Sequence, residues 1–243
     1  MICLRSTLVR NLMNKLFRSF TDAIADIPDN ATIMMDGFGG PGGMPQQLIL
    51  ALREHGVQKL TIISNTAGLP GFGTIGGDLA ITHNVLIENG QVQKVIASFP
   101  VSPSPSRPNA FEQLYREGSI ELELVPQGTL AERIRSGGAG IPAFYTPTGV
   151  GTPVAQGKES RFIQGREYIL ESALTADYAF IRANKADTLG NLTYTGTSRN
   201  FNTGMAMAAD VTIAEVDEIV EIGDIDPEIV MTPGIFVQRI VKR

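Results

Sequence analysis

Residues 37–43 read Gly-Phe-Gly-Gly-Pro-Gly-Gly, with five glycines in seven positions, and form the densest candidate ligand loop in the chain. The loop follows the short apolar run ATIMM and precedes MPQQLILALREHG, so it joins a strand to a helix. Gly37, Gly39 and Gly42, with Phe38, Gly40 and Pro41 between them, satisfy G-x-G-x-x-G, a dinucleotide-binding pattern. That kind of site also wants an acidic residue at the end of the next strand, for the ribose hydroxyls. Here the next strand ends Ser64-Asn65-Thr66-Ala67-Gly68. Two readings remain open: a backbone concavity, continued by Gly43, whose N–H groups approach a phosphate, thioester or carboxylate, or a plain turn into the helix.

Other chemistries fail on inventory. There is no G-x-S-x-G, no Walker lysine pattern, no H-E-x-x-H and no Asp-rich calcium loop. The two histidines read as structural: His55 ends a helix beside Gly56, and His83 in AITHNVLIENG has no evident partner. Glu88-Asn89-Gly90 carries a carboxylate, but Asn-Gly is a strong turn dipeptide. The single cysteine, Cys3, excludes an intrachain disulfide and cysteine-based zinc sites, and a metal centre is not expected. It suits a reducing compartment. The net charge of −5 argues against nucleic acid or an anionic membrane as partner. Residues 1–20 hold Arg5, Arg10, Lys15 and Arg18 and no Asp or Glu, so the remainder carries −9. An acid-free, Arg-bearing start can be a mitochondrial transit peptide, but a start placed too far upstream, or a harmless extension, is the favoured reading. Residues 1–14 are therefore set apart as an extension, and Met13 opens what looks like an amphipathic first helix. No apolar run approaches the roughly 18 residues of a membrane span.

The elements that must position these residues alternate. Strand signals at 31–35, LTIIS (60–64), VQKVIASFP (92–100) and IELELV (120–125) are separated by helical patterns at 44–56, 109–118 and 129–138. Such alternation implies an α/β fold, a mostly parallel sheet flanked by helices. After Gly137 the stretch GGAGIPAFYTPTGVGTPVAQG lacks either periodicity and is expected to be a long functional loop. Strand-like REYILESAL, DYAFIRANKAD, GNLTY and DVTIAEVDEIVEIG make the second half strand-rich, with a small-residue helix around GMAMAA. VSPSPSRPN (101–109) suits an exposed loop. Residues 15–243 are expected to form one domain.

At this point the residues resemble a family. ELELVPQGTLAERIRSGGAGIPAFYTPTGVGT (121–152) is similar to the A-subunit region of succinyl-CoA:3-oxoacid CoA-transferases. LTIISNTAG, REYILESAL, KADTLGNLTY, SRNFNTGMAMAA and the C-terminal MTPGIFVQRIV resemble that family in the same order, nearest to the A subunits of 3-oxoadipate CoA-transferases. The resemblance implies a ping-pong exchange in which a glutamate on a separate B subunit, commonly within Ser-Glu-Asn-Gly, becomes a glutamyl-CoA thioester. By the same resemblance the present chain supplies one wall of the site. Gln127 would donate to a developing oxyanion, Asn65 would lie beside it, and the 37–43 loop would face CoA. Asp36 and one additional residue before Gly43-Met44-Pro45 depart from the family loop. The expected partners are acyl-CoA, small carboxylic acids and a B subunit, in an α2β2 or similar assembly. No tightly bound cofactor is expected, since coenzyme A enters as substrate. The location implied is the cytoplasm, or the mitochondrial matrix in a eukaryote. Two alternatives stand: the A subunit of an acetate- or butyrate-type CoA-transferase, and a non-catalytic CoA- or sugar-phosphate-binding module.

Overall fold

The computed structural model describes residues 14–35, 38, 43–69, 74–75, 78–102, 106 and 108–243. The main sheet is built from β1 (Leu16–Phe17), β2 (Thr32–Met35), β3 (Leu60–Ile63), β6 (Val92–Ala97), β7 (Glu121–Leu124), β11 (Ala176–Asp187), β13 (Ala209–Val220) and β14 (Arg239–Lys242). Two short strands between β3 and β6, β4 (Thr74–Ile75) and β5 (Asp78–Leu79), pair antiparallel with each other outside it. The spatial order of the main sheet is β1-β14-β13-β11-β2-β3-β6-β7, every pair on this path is parallel, and β12 (Leu192–Thr193) adds antiparallel to β11. From β2 the chain steps outward through β3, β6 and β7, and later returns beside β2 as β11 before stepping the other way. That reversal is a topological switch point, where open α/β sheets gather ligands beyond the strand ends.

Helices cover both faces. On one lie α1 (Phe20–Ile24), α2 (Gln46–His55), α3 (Asn84–Glu88) and α4 (Ala110–Arg116), packing Ile24, Leu48, Leu86 and Phe111 into one core. On the other lie α5 (Gln127–Gly138) and α6 (Asn202–Ala208), which pack Leu130, Ile134 and Met205 into a second core with Met34, Ile63 and Ile181. Alternating strand residues feed the two cores, as the period of two requires: Phe180 belongs to the first, and Ala179 and Ile181 to the second.

The structure corrects three expectations. The helix expected to open at Met13 is not present from Asn14 to Arg18: Leu16 and Phe17 are a short strand bonded to β14, and helix begins only after Ser19, whose side chain caps Asp22 N. Residues 137–157 are not a structureless loop, because β8 (Ala143–Thr146) and a 3-10 turn at Pro153–Ala155 lie within them. With β9 (Ser160–Ile163) and β10 (Arg166–Ser172), β8 forms a separate antiparallel sheet. Its residues lack a readable alternation because Phe144 and Tyr145, on opposite faces, are both only half-buried. The helix expected at 129–138 also begins two residues earlier, at Gln127. Residues 1–13, and residues 103–105 and 107 of the proline-rich segment, lie outside the described residues.

Helix α5 is pinned through Arg133. Its Nε donates to Ser172 O at 2.7 Å, its Nη1 donates to Glu123 Oε1 at 2.7 Å, and its carbonyl accepts from Leu174 N at 2.9 Å. Glu171, whose side chain is 2% exposed, pairs with Lys158 and lies 3.9 Å from the Arg133 Nε. The network ties α5 to β7 and to the smaller sheet. Arg133→Met should therefore cost about 2–3 kcal/mol, because the Ser172 carbonyl loses its donor and two carboxylates lose one of their two cations, Glu171 keeping Lys158 and the half-buried Glu123 keeping Lys94. Urea denaturation measures this, and a loss below about 1 kcal/mol would contradict the pinning role.

Candidate functional site

The C-terminal edge of the sheet holds together two side chains that lie far apart in sequence. Beyond β3, Ser64 N still donates to Ile96 O at 3.1 Å, and Asn65 O accepts from Ser98 N at 3.1 Å and Phe99 N at 2.9 Å. Asn65 is thus fixed by the ladder and is only 3% exposed. Beyond β7, Val125 N donates to Ala97 O at 3.0 Å, and Pro126, with φ −55° and ψ 138°, turns the chain so that Gln127 is the first residue of α5. The Gln127 Nε2 then donates to Asn65 Oδ1 at 2.9 Å. This bond spans the end of β6, which lies between β3 and β7. A primary amide carries two N–H donors, so one remains on Gln127, whose side chain is otherwise exposed.

The helix end adds further donors. Pro126 provides no side-chain cap, and the first intrahelical bond is Leu130 N to Pro126 O at 2.8 Å. The amides of Gln127, Gly128 and Thr129 precede that bond and have no intrahelical partner. Nothing lies within 4 Å of the position a Cβ would take at Gly128, so the approach is open there. Free amides, the positive end of a twelve-residue helix and the Gln127 carboxamide together favour negative charge on a carbonyl or carboxylate oxygen.

The turn that carries Asn65 is braced from behind. His83 is fully buried, and its Nε2 lies 2.9 Å from Thr66 O, so that nitrogen bears the hydrogen. Burial pushes the His83 pKa down to about 4, which keeps the ring neutral. Gly68 adopts φ +78°, and a Cβ there would sit 2.5 Å from Asn84 N, so the turn demands glycine. His83 is structural, as expected, but the strand end it supports belongs to the site.

The glycine-rich loop leaves β2 at the switch point. Asp36, Gly37, Gly39, Gly40, Pro41 and Gly42 lie outside the described residues. Phe38 packs its ring 5.6 Å from that of Phe201, and Gly43 abuts the segment 198–202. The start of α2, which the loop feeds, is already satisfied: Glu215 Oε2 from β13 accepts from Gln47 N at 2.8 Å and Leu48 N at 3.2 Å. Burial raises the pKa of this wholly buried carboxyl, opposed by those amides and by Arg182 and Arg243. A ligand at the loop would therefore not share the Gln47 and Leu48 amides. Neither Glu215 nor the 200–202 corner stood out in the sequence. The spacing Asn200-Phe201-Asn202 before a small-residue helix was the available signal.

Glu88 is excluded from this constellation by direction. It ends α3 and accepts from Asn84 Nδ2 at 2.6 Å, and Gly90, with φ +71°, turns the chain into β6. Glu88-Asn89-Gly90 precede β6, whereas Asn65 and Gln127 lie beyond the C-terminal ends of its neighbours. A strand of six residues, roughly 20 Å, separates the two edges. The turn reading of Asn-Gly holds. His55 sits exposed in the last turn of α2 beside Gly56, whose φ of +81° makes the expected left-handed cap. Among the described residues no helix is long and apolar enough to cross a membrane.

Comparison with known proteins bears on this geometry. The profile of the coenzyme A transferase family matches residues 17–243. The A subunit of 3-oxoadipate CoA-transferase from Pseudomonas putida is 50% identical over 230 residues, covering 95% of this chain and 94% of that protein. The A subunit of succinyl-CoA:3-ketoacid coenzyme A transferase from Helicobacter pylori strain J99 is 46% identical, covering 95% and 93%. Among solved structures, an acyl-CoA transferase from Escherichia coli O157:H7 in a thioester complex with CoA superposes with a TM-score of 0.75 at 24% identity. That match covers 96% of this chain and 48% of the other, and it concerns the fold.

The depressed pKa of His83 makes a testable stability statement. Because the folded value lies below the ordinary 6.5, the unfolded chain binds the extra proton first. The contribution is fully present above about pH 6.5 and is lost as pH falls through about 4, reaching about 3 kcal/mol. His83→Gln should flatten that part of the pH–stability curve in urea titrations, and an unchanged slope between pH 6.5 and 4 would contradict it.

Proposed function

This chain belongs to the coenzyme A transferase family, and we propose that it is the A subunit of a 3-oxoacid CoA-transferase that works with a separate B subunit. The preferred acceptor is 3-oxoadipate, with acetoacetate next, and succinyl-CoA is the donor. The relatives' names support this reading at 46–50% identity. The observation that carries it is the Gln127–Asn65 bond beside the open end of α5. This arrangement suits a carbonyl that becomes an oxyanion, while Glu88, in the Glu-Asn-Gly turn, lies at the other edge of the sheet. Residues 15–243 would act as one unit, in the cytoplasm, with acyl-CoA and the acceptor acid as the only small molecules required.

The chemistry proposed is two acyl exchanges at one glutamate of the partner. The carboxylate adds to the thioester carbonyl, the C–S bond of the adduct breaks, and CoA departs as thiolate, leaving a mixed anhydride of the glutamate and the first acid. The thiolate then attacks the glutamyl carbonyl, giving glutamyl-CoA thioester and releasing the first acid. The same two steps run in reverse with the acceptor acid. No net proton transfer is needed, so the pocket asks for donors more than for a general base. Each addition places negative charge on a carbonyl oxygen. Gln127 Nε2 and the Gln127, Gly128 and Thr129 amides are the groups of this chain that would stabilise it. Asn65 fixes the carboxamide before the charge develops, so little reorganisation is needed at that moment. The Gly37–Gly43 loop, with Phe38, would line the approach of CoA.

Co-expression with a B subunit should give a stable complex that transfers CoA, whereas this chain alone should give none. In that complex Gln127→Ala should lower kcat about 10²–10³-fold, or about 2.7–4 kcal/mol, without dissociating the subunits. Turnover equal to wild type would remove Gln127 from the site. Initial rates with 3-oxoadipate, acetoacetate and butyrate rank the acceptors, and butyrate leading would favour the acetate- or butyrate-type enzyme.

A further inference from the structure

The segment 196–202 holds the most unusual backbone geometry among the described residues. A 3-10 turn at Gly196–Arg199 ends at Asn200, whose φ of 30° and ψ of −124° lie in a region that L-residues scarcely populate. Three other non-glycine residues have positive φ: Asn30, Lys59 and Gln164, at 65°, 59° and 51°. Those three values lie near the ordinary left-handed well. Glycine would take the Asn200 conformation freely, and glycine stands at twelve other positive-φ positions among the described residues. The Asn200 Oδ1 accepts from Asn202 N at 3.1 Å, which explains half of the side chain. The other half has no structural return, because Nδ2 is buried without a hydrogen-bond partner.

The surroundings say what the corner holds. A Cβ at Gly43 would lie 2.0 Å from Asn200 Nδ2 and 2.7 Å from Ser198 O, so the corner and the end of the glycine-rich loop are in closest contact. Asn202, fully buried on α6, shares the two hydrogens of its Nδ2 among Gly43 O at 3.2 Å, Arg182 O at 3.2 Å and Ser198 O at 3.0 Å. Phe201 between them packs on Phe38. On its other side the corner lines a cavity of about 120 Å³ with Ala131, Ile134 and Gly204. Gln127, Ala131 and Ile134 follow the i, i+4, i+7 spacing of a single face of α5. The corner therefore stands between the loop that leaves β2 and the helix that carries Gln127.

We propose that Asn200 is a positioning residue for the transfer reaction: its strained backbone and tightly packed carboxamide fix Gly43 and Phe38 relative to α5, so that bound acyl-CoA meets Gln127. This rests on the CoA-transferase reading above. A turn selected only for stability would use glycine here. Asparagine adds a side chain whose contact with Gly43 sets the separation of loop and helix.

The test uses the complete complex with its B subunit. Asn200→Gly relieves the strain and empties the space against Gly43. The thermal midpoint should stay level or rise, while KM for succinyl-CoA increases at least tenfold and KM for the acceptor acid changes less than twofold. Gly43→Ala forces the same two elements apart and should give the same selective rise in KM for succinyl-CoA, with a lower midpoint. Unchanged kinetics in Asn200→Gly would overturn the proposal, as would a fall in its midpoint with kcat and both KM values affected alike. A wild-type complex with no CoA transfer would instead remove the functional reading, and this inference with it.

Discussion

The hydrogen bond from Gln127 to Asn65 is the contact on which the site depends. It joins the end of β3 to the start of α5 across the end of β6, and each partner is held by backbone before the side chains meet. Asn65 is locked by ladder bonds to Ser98 and Phe99, and Gln127 by the Pro126 turn and by the Arg133 network one and a half turns along α5. The bond adds little to stability, about 1 kcal/mol at most for a partly exposed neutral pair. What it contributes is direction, because it spends one amide hydrogen and so aims the other.

Two helix ends on this edge show how the same physics is put to opposite uses. The start of α2 is filled by Glu215, a carboxylate the protein carries in its own core, and is thereby closed to external anions. The start of α5 has no side-chain cap, and its first amides have no intrahelical partner. Since both helices follow parallel strands in one sheet, their dipoles point alike. The difference lies in which one the fold neutralises internally, and in the proposed function that choice would direct charged substrate groups towards Gln127.

Much of the fold was legible. The alternation of apolar, β-branched runs with helical spacing located β2, β3, β6 and β7 with α2 and α4, because each buries one face against a shared sheet, whereas the five-residue α3 was too short to show a helical period. Residues 137–157 were illegible for a physical reason. Strand β8 belongs to a small sheet whose residues are half-buried on both faces, so no alternation is imprinted, and its Gly and Pro content mimics a loop. The short strand at Leu16–Phe17 was masked by helix-forming neighbours and exists because β14 offers an edge. Of the site, Gln127 and Asn65 were named through family resemblance, since nothing about an isolated Asn or Gln announces a partner 62 positions away. Glu215 was hidden because DVTIAEVDEIV shows one Glu among several acids, and only the strand register reveals that it faces α2. Asn200 was hidden because strain is a property of dihedral angles, which composition does not encode.

The proposed function divides the labour: this chain shapes and polarises the pocket, and another polypeptide carries the nucleophile. Its most direct test is to incubate the two-chain complex with succinyl-CoA and no acceptor, quench, and map the covalent CoA adduct by peptide mass spectrometry. The account requires the adduct on a glutamate of the partner, with every peptide of this chain unmodified, including the one containing Glu88. A CoA thioester on Glu88, or on any other carboxylate of this chain, would contradict it.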